Sequence, residues 1–131
     1  KQKTAYEIVD CDWSSDVCSS DLLFVDISEL LKRELSYKDV FYYASMIHLW
    51  TAKIHPFMDG NGRSARLLEK WFLVSKLGLA AWSINSEKYY WDNRPDYYQN
   101  IALGYNYYAL YWNRCLPFLL MLPQALKDSI H

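Results

Sequence analysis

Residues 55–66 read His55-Pro-Phe-Met-Asp-Gly-Asn-Gly-Arg-Ser-Ala-Arg66. Helical periodicity runs up to this stretch and resumes after it. Upstream, Val40, Ala44, Ile47, Thr51 and Ile54 fall on one face, with Phe41, His48 and His55 on the adjacent stripe. Ser36-Tyr-Lys-Asp39 fits a capping box that opens this helix. Pro56 cannot continue it, so it ends at Ile54 or His55. Downstream, Leu67, Leu68, Trp71, Phe72 and Val74 make a wide apolar face on a helix from about Gly62 to Leu77. Such a face predicts burial over much of the surface. Gly78 sits where a left-handed cap would stop the helix. The stretch is therefore a tight loop between two core helices.

The same periodicity extends outward. Leu23, Ile27, Leu30 and Leu31 predict a helix over 24–35, with Glu29, Lys32 and Arg33 on its polar face. A short helix is expected near 84–93. Arg94-Pro95 breaks it and starts another over about 95–114, which gathers Tyr98, Ile101, Tyr105, Tyr108 and Trp112. A last short helix follows Pro123. With 131 residues, 52% of them hydrophobic and 22% charged, the chain can bury one core. Only 4 Gly and 4 Pro argue against a turn-rich all-β chain. The reading is all-α, a compact helical bundle. A net charge of −1 gives no basic bias toward nucleic acid. No apolar run is long enough to span a bilayer, and the longest, Cys115 to Pro123, holds two prolines.

Residues 11–22 stand apart. Cys-Asp-Trp-Ser-Ser-Asp-Val-Cys-Ser-Ser-Asp-Leu has neither helical nor strand period. Asp12 to Leu22 reads without interruption as the translation of a common sequencing adapter; the alternative is an ordinary polar Ser/Asp loop. On the adapter reading Cys11 and Cys18 are not native, so no disulfide or metal argument rests on them. Losing Asp12, Asp16 and Asp21 would move the net charge from −1 to +2. Residues 1–10 are then of uncertain origin beside Leu23, and they lack a starting Met, as a fragment would. Residues 1–22 are set aside as a leader, and 23–131 are taken as the domain.

The loop carries the chemistry. Two glycines flank Asn61, and both residue types tolerate positive φ, so successive backbone N–H groups can converge on one anion. The start of the next helix adds unpaired N–H groups and the positive end of its dipole. Arg63 and Arg66 share a face and lean back over that nest. Two guanidiniums and a nest suit a polyphosphate. Asp59 is the only acid in the loop; alone it cannot cage a metal, but Mg²⁺ commonly takes one carboxylate plus phosphate oxygens. His55 supplies a proton acceptor beside the phosphates. A base, a metal ligand and a phosphate cradle suit attack of a hydroxyl on a nucleotide phosphate.

The stretch resembles the signature of the Fic (filamentation induced by cAMP) domain, His-x-Phe-x-(Asp/Glu)-Gly-Asn-Gly-Arg-x-x-Arg. His55, Phe57, Asp59, Gly60, Asn61, Gly62, Arg63 and Arg66 occupy every fixed position. His48, the Leu67-Leu68 helix and Tyr97-Tyr98 are also similar to the family's pattern, over roughly 23–131. The resemblance implies AMP transfer from ATP to a Tyr, Thr or Ser hydroxyl of a target protein. It implies that His55 deprotonates the target and that Asp59 holds Mg²⁺ on the α- and β-phosphates. Asn61 would form the anion hole with the backbone of Gly60 and Gly62. Arg63 would bind phosphate, and Arg66 would reach the γ-phosphate. Phe57 would anchor the loop in the core, and Tyr97 or Tyr98 would lie on the adenine side. The phosphate-transferring Doc branch carries Lys at the position of Gly62, and the phosphocholine-transferring branch often carries Ala at that of Gly60. Gly60-Asn61-Gly62 thus favours AMP transfer.

Two departures bear on partners. The family's target-holding flap, which precedes the first helix, is missing or replaced by the adapter-like stretch. The inhibitory pattern (Ser/Thr)-x-x-x-Glu-(Gly/Asn) has no clean copy, since Ser83-Ile-Asn-Ser-Glu87 is followed by Lys88. An inhibitory helix or antitoxin would then lie elsewhere or be absent. The rival readings are a catalytically impaired nucleotide-binding or toxin–antitoxin-type module, or a Fic enzyme with another donor or an AMP-removing activity. His48 reads either as a partner of His55 or as a satisfied core histidine, with the second favoured. Most aromatics between Tyr89 and Trp112 read as core, and Cys115 reads as a buried thiol. The ATP requirement and the absence of an apolar leader imply a cytoplasmic, bacterial location.

Overall fold

A computed structural model describes residues 20–55, 57–105 and 112–130. Among these the fold is all-α. Helices α1 (Ser20–Lys32), α2 (Tyr37–Ile54) and α3 (Asn61–Leu77) come first, then a short 3₁₀ turn at Leu79–Ser83. Four shorter helices follow: α4 (Ser86–Asp92), α5 (Arg94–Tyr105), α6 (Trp112–Leu119) and α7 (Met121–Ile130). No helix among the described residues is long and apolar enough to cross a membrane.

Helix α2 is the spine, packing most extensively on α3 and also meeting α1, α5, α6 and α7. Ser36 caps its start, with Oγ accepting from the Asp39 N–H at 3.2 Å. The stripe Val40, Ala44, Ile47, Thr51 and Ile54 is buried, but burial goes further: every residue from Ala44 to Thr51 is inside. Neighbours on all sides, rather than one amphipathic face, surround this segment. The helix ends at Ile54, with His55 in the left-handed region at φ 57, ψ 56 and its N–H on the Thr51 carbonyl at 2.9 Å. Pro56 lies outside the described residues.

Helix α3 departs from its expected face. Leu67 is 62% exposed and Trp71 43%, whereas Asn61, Ala65, Glu69, Phe72 and Leu73 are buried. The buried stripe follows i, i+4 spacing through two polar residues. Gly78 stops the helix at φ 91, ψ 178, a conformation open to glycine but not the left-handed cap expected.

Helix α1 starts at Ser20, inside the stretch set aside as adapter-like, and stops at Lys32 rather than 35. Leu23, Ile27 and Leu30 enter the core. The Lys76 ammonium ends the helix by donating to the carbonyls of Leu31 (2.9 Å) and Arg33, which satisfies acceptors left over at a helix C-terminus. The helix expected near 84–93 is α4. The one expected over 95–114 is described as α5 and the start of α6, with 106–111 outside the described residues. Helix α6 runs through Pro117, which the sequence reading left unassigned, and α7 starts at Met121 with Pro123 in its first turn. Cys115 is buried, and burial raises its thiol pKa. Cys11 and Cys18 lie outside the described residues.

Candidate active site

The cleft forms where α2 stops and α3 begins. A cavity of about 510 Å³ is lined by His55, Asp59, Gly60, Asn61, Gly62, Arg63 and Arg66 from the loop and α3, and by Tyr97 and Tyr98 from α5. Ala52, Met58 and Ile101 complete the wall. The candidate base, metal-ligand, phosphate-binding and adenine-side residues therefore all face one space; Phe57 and His48 do not.

His55 is exposed and sits in the left-handed region, which histidine adopts more readily than bulky or β-branched residues do. This turns the chain sharply out of α2 and leaves the imidazole on the cleft wall. The loop is then tied across its neck. Phe57 donates its N–H to Asn61 Oδ1 at 2.9 Å, and Asn61 Nδ2 donates to the Phe57 carbonyl at 2.7 Å. This corrects the expected role of Phe57. Its ring is 42% exposed and does not enter the core; its backbone anchors the loop. Asn61 Oδ1 and one Nδ2–H are occupied in that staple, which leaves the second Nδ2–H and the backbone N–H for an anion.

Gly60 precedes α3 at φ 79, ψ 18, and no side chain caps the helix. No acid lies in its first turn, while Arg63 does. A cation beside the positive helix end is unfavourable unless an anion compensates both. The two glycines also make room for the guanidiniums. A Cβ on Gly60 would lie 3.1 Å from Arg63 Nη2, and one on Gly62 would lie 3.2 Å from Arg66 Nη1. Both arginines thus fold back over the helix start. Arg63 pairs loosely with Asp59 at 3.6 Å, with both side chains largely in solvent, so this pair contributes little stability and is free to exchange for ligand contacts.

Behind the arginines lies a buried polar chain. Arg66 Nη1 donates to the Tyr97 hydroxyl at 3.4 Å, and Tyr97 Oη lies 2.8 Å from His48 Nε2. His48 Nδ1 lies 2.6 Å from Glu69 Oε2, which also accepts from the Tyr90 hydroxyl at 2.9 Å. His48 and Glu69 have no exposed surface. His48 is therefore a satisfied core histidine whose chain of contacts leads to Arg66. Tyr97 is 4% exposed and has no ring face left for a base, whereas Tyr98 is 62% exposed on the cleft. Burial pushes the Tyr97 hydroxyl up to about 12 despite the lowering effect of Arg66. Sequence reasoning missed Glu69 and Tyr90; the only signal for Glu69 was its spacing from Asn61 and Ala65 along the buried stripe. Glu87, in the imperfect inhibitory pattern, pairs with the buried ammonium of Lys70 at 3.3 Å.

Residues 17–73 match the Fic/DOC family. Over this segment the chain is similar to a Fic domain. The match spans α1, α2, the loop and most of α3, and it begins inside the stretch that sequence reasoning set aside as a leader. The Fic signature is thus set in a helix–loop–helix frame, with Tyr97 and Tyr98 closing the cleft from beyond the matched segment. No solved structure matches the chain at a significant level.

Proposed function

We propose that this chain is a Fic domain that transfers AMP from ATP to a hydroxyl of a target protein. One observation carries the reading: the exposed imidazole of His55 opens onto the same cleft as an uncapped helix start overhung by two arginines. His55 takes the proton of the target hydroxyl, whose oxygen attacks the α-phosphorus of ATP. The bond to the β-phosphate oxygen breaks, and pyrophosphate leaves. The N–H groups at the start of α3 bind the phosphate oxygens on which charge develops. Arg63 and Arg66 hold the polyphosphate, and Tyr98 offers an open ring face to adenine. Gly60-Asn61-Gly62, by resemblance, favours AMP over phosphate or phosphocholine.

Asp59 is the residue that would hold Mg²⁺. Among the described residues no cluster of three or more metal-ligating side chains exists. A lone carboxylate, 96% exposed at its side chain on the cleft rim, suits an ion that keeps water and phosphate oxygens as most of its ligands. When bound, the ion would supply charge neutralisation on the polyphosphate.

The test is transfer from α-phosphate-labelled ATP with Mg²⁺, to the protein itself and to a lysate, beside His55→Ala. Label on protein that vanishes in the variant, with ATP binding retained in both, is the expected result. ATP binding without label in the unaltered chain would sink the transferase reading in favour of a nucleotide-binding module.

A further inference from the structure

The chain Glu69–His48–Tyr97–Arg66 has a fixed direction. A carboxylate oxygen can only accept, so with a neutral imidazole the assigned tautomer of His48 has its proton on Nδ1 and a lone pair at Nε2. The Tyr97 hydroxyl must then donate to Nε2, which turns its own lone pairs toward Arg66. Each donor points toward Glu69, and such chains polarise cooperatively in a low-dielectric interior. Arg66 and Glu69 are three residues apart on α3, yet they join through a histidine from α2 and a tyrosine from α5 rather than directly. A buried carboxylate needs a compensating charge, and here the relay extends from it toward the guanidinium at the cleft. Arg66 is a long, flexible side chain on a half-exposed site, and its geometry is expensive to hold without a partner.

We infer that Tyr97, oriented by His48 and Glu69, is a positioning residue that fixes the Arg66 guanidinium for the terminal phosphate of a nucleoside triphosphate. The ligand assignment rests on the nucleotide reading above; the fixing of Arg66 does not. Tyr90 supplies an internal comparison, because it donates to the same Glu69 oxygen but stands outside the path to Arg66.

The experiment has two readouts on the full chain. The first is the order of the Arg66 side chain from ¹⁵N relaxation of its Nε–Hε group, without ligand. The second is the ratio of ATP to AMP affinity by calorimetry. Tyr97→Phe is expected to disorder Arg66 and to cut ATP affinity about tenfold, the loss of one hydrogen bond to a charged group, with AMP affinity moved less than about twofold. Tyr90→Phe is expected to leave both readouts near those of the unaltered chain, although it removes a buried hydrogen bond. If Arg66 keeps its order in Tyr97→Phe, or if Tyr90→Phe disorders it equally, the positioning role is overturned. If Tyr97→Phe disorders Arg66 but the unaltered chain binds ATP no better than AMP, the positioning role stands and the triphosphate assignment falls.

Discussion

Replacing Asn61 two ways should separate the loop's stability from its affinity for anions. In Asn61→Ala both hydrogen bonds to Phe57, at 2.9 and 2.7 Å, are lost. At about 1 kcal/mol net for each bond, the cost is about 2 kcal/mol, or a fall of roughly 5–10 °C in Tm for a domain of this size. In Asn61→Asp the acceptor for the Phe57 N–H survives, but an acceptor-only carboxylate oxygen replaces the donor that faced the Phe57 carbonyl at 2.7 Å and repels it. The new carboxylate sits at the first residue of α3, where the helix dipole returns about 0.3–1 kcal/mol. The dipole term offsets part of that repulsion, so the stability cost is comparable to that of Asn61→Ala, about 2 kcal/mol. For a bound polyphosphate the two variants separate. A carboxylate about 5 Å from a phosphate charge repels it by about 1–3 kcal/mol between the dielectric limits of protein surface and water. ATP affinity should fall about fivefold or more in Asn61→Asp and by less in Asn61→Ala. Thermal unfolding without ligand gives the stability cost, and calorimetric titration with ATP gives the affinities. If Asn61→Ala unfolds like the unaltered chain, or if Asn61→Asp binds ATP as well as the alanine variant, the division of labour between staple and helix start is wrong.

Gly60→Ala places a Cβ on a residue at φ 79 and 3.1 Å from Arg63 Nη2. It should cost about 1–2 kcal/mol in urea unfolding. Gly62→Ala has no positive φ to strain, so it should unfold close to the unaltered chain while displacing Arg66 and weakening ATP binding. Burial raises the Tyr97 pKa from 10.0 to about 12. The folded chain therefore keeps a proton that the unfolded chain gives up, and the resulting stability is complete below pH 10 and lost as pH rises through 12. The loss amounts to about 3 kcal/mol, so denaturant unfolding of Tyr97→Phe should fall less steeply across that window. Lys76→Met removes the donor to the carbonyls of Leu31 and Arg33. It should lower Tm by a few degrees with no change in ATP affinity; an equal Tm would show that water replaces the ammonium.

The helix–loop–helix frame was legible because its signals are local: the Ser36 cap, the break before Pro56 and the glycines around Asn61. The Fic signature then placed nearly every cleft residue. What was not legible depends on neighbours distant in sequence. Nothing local shows that Ala44 to Thr51 is enclosed on every side, since an apolar-rich segment reads the same whether one or several helices cover it. Leu67 and Trp71 looked like core because they are large and apolar, while Glu69 looked like surface because it is charged. His48 and Tyr90 invert that assignment by offering hydrogen bonds inside. The Phe57 ring was misread for the same reason, its backbone rather than its side chain being tied. The start of α1 was not legible because residues 11–22 show no helical period of their own, although the helix begins at Ser20.

The enclosure of α2 sets a hierarchy of opening. Amides sheathed on all sides exchange with solvent only when the whole domain unfolds, whereas exposed loop amides exchange through small local fluctuations. His55 stands at the junction, its N–H held by Thr51 on the slow side and its side chain on the fast side. In hydrogen–deuterium exchange, protection should drop within a few residues past Ile54 and recover along α3. A base carried at that edge has a fixed origin at the mouth of the cleft.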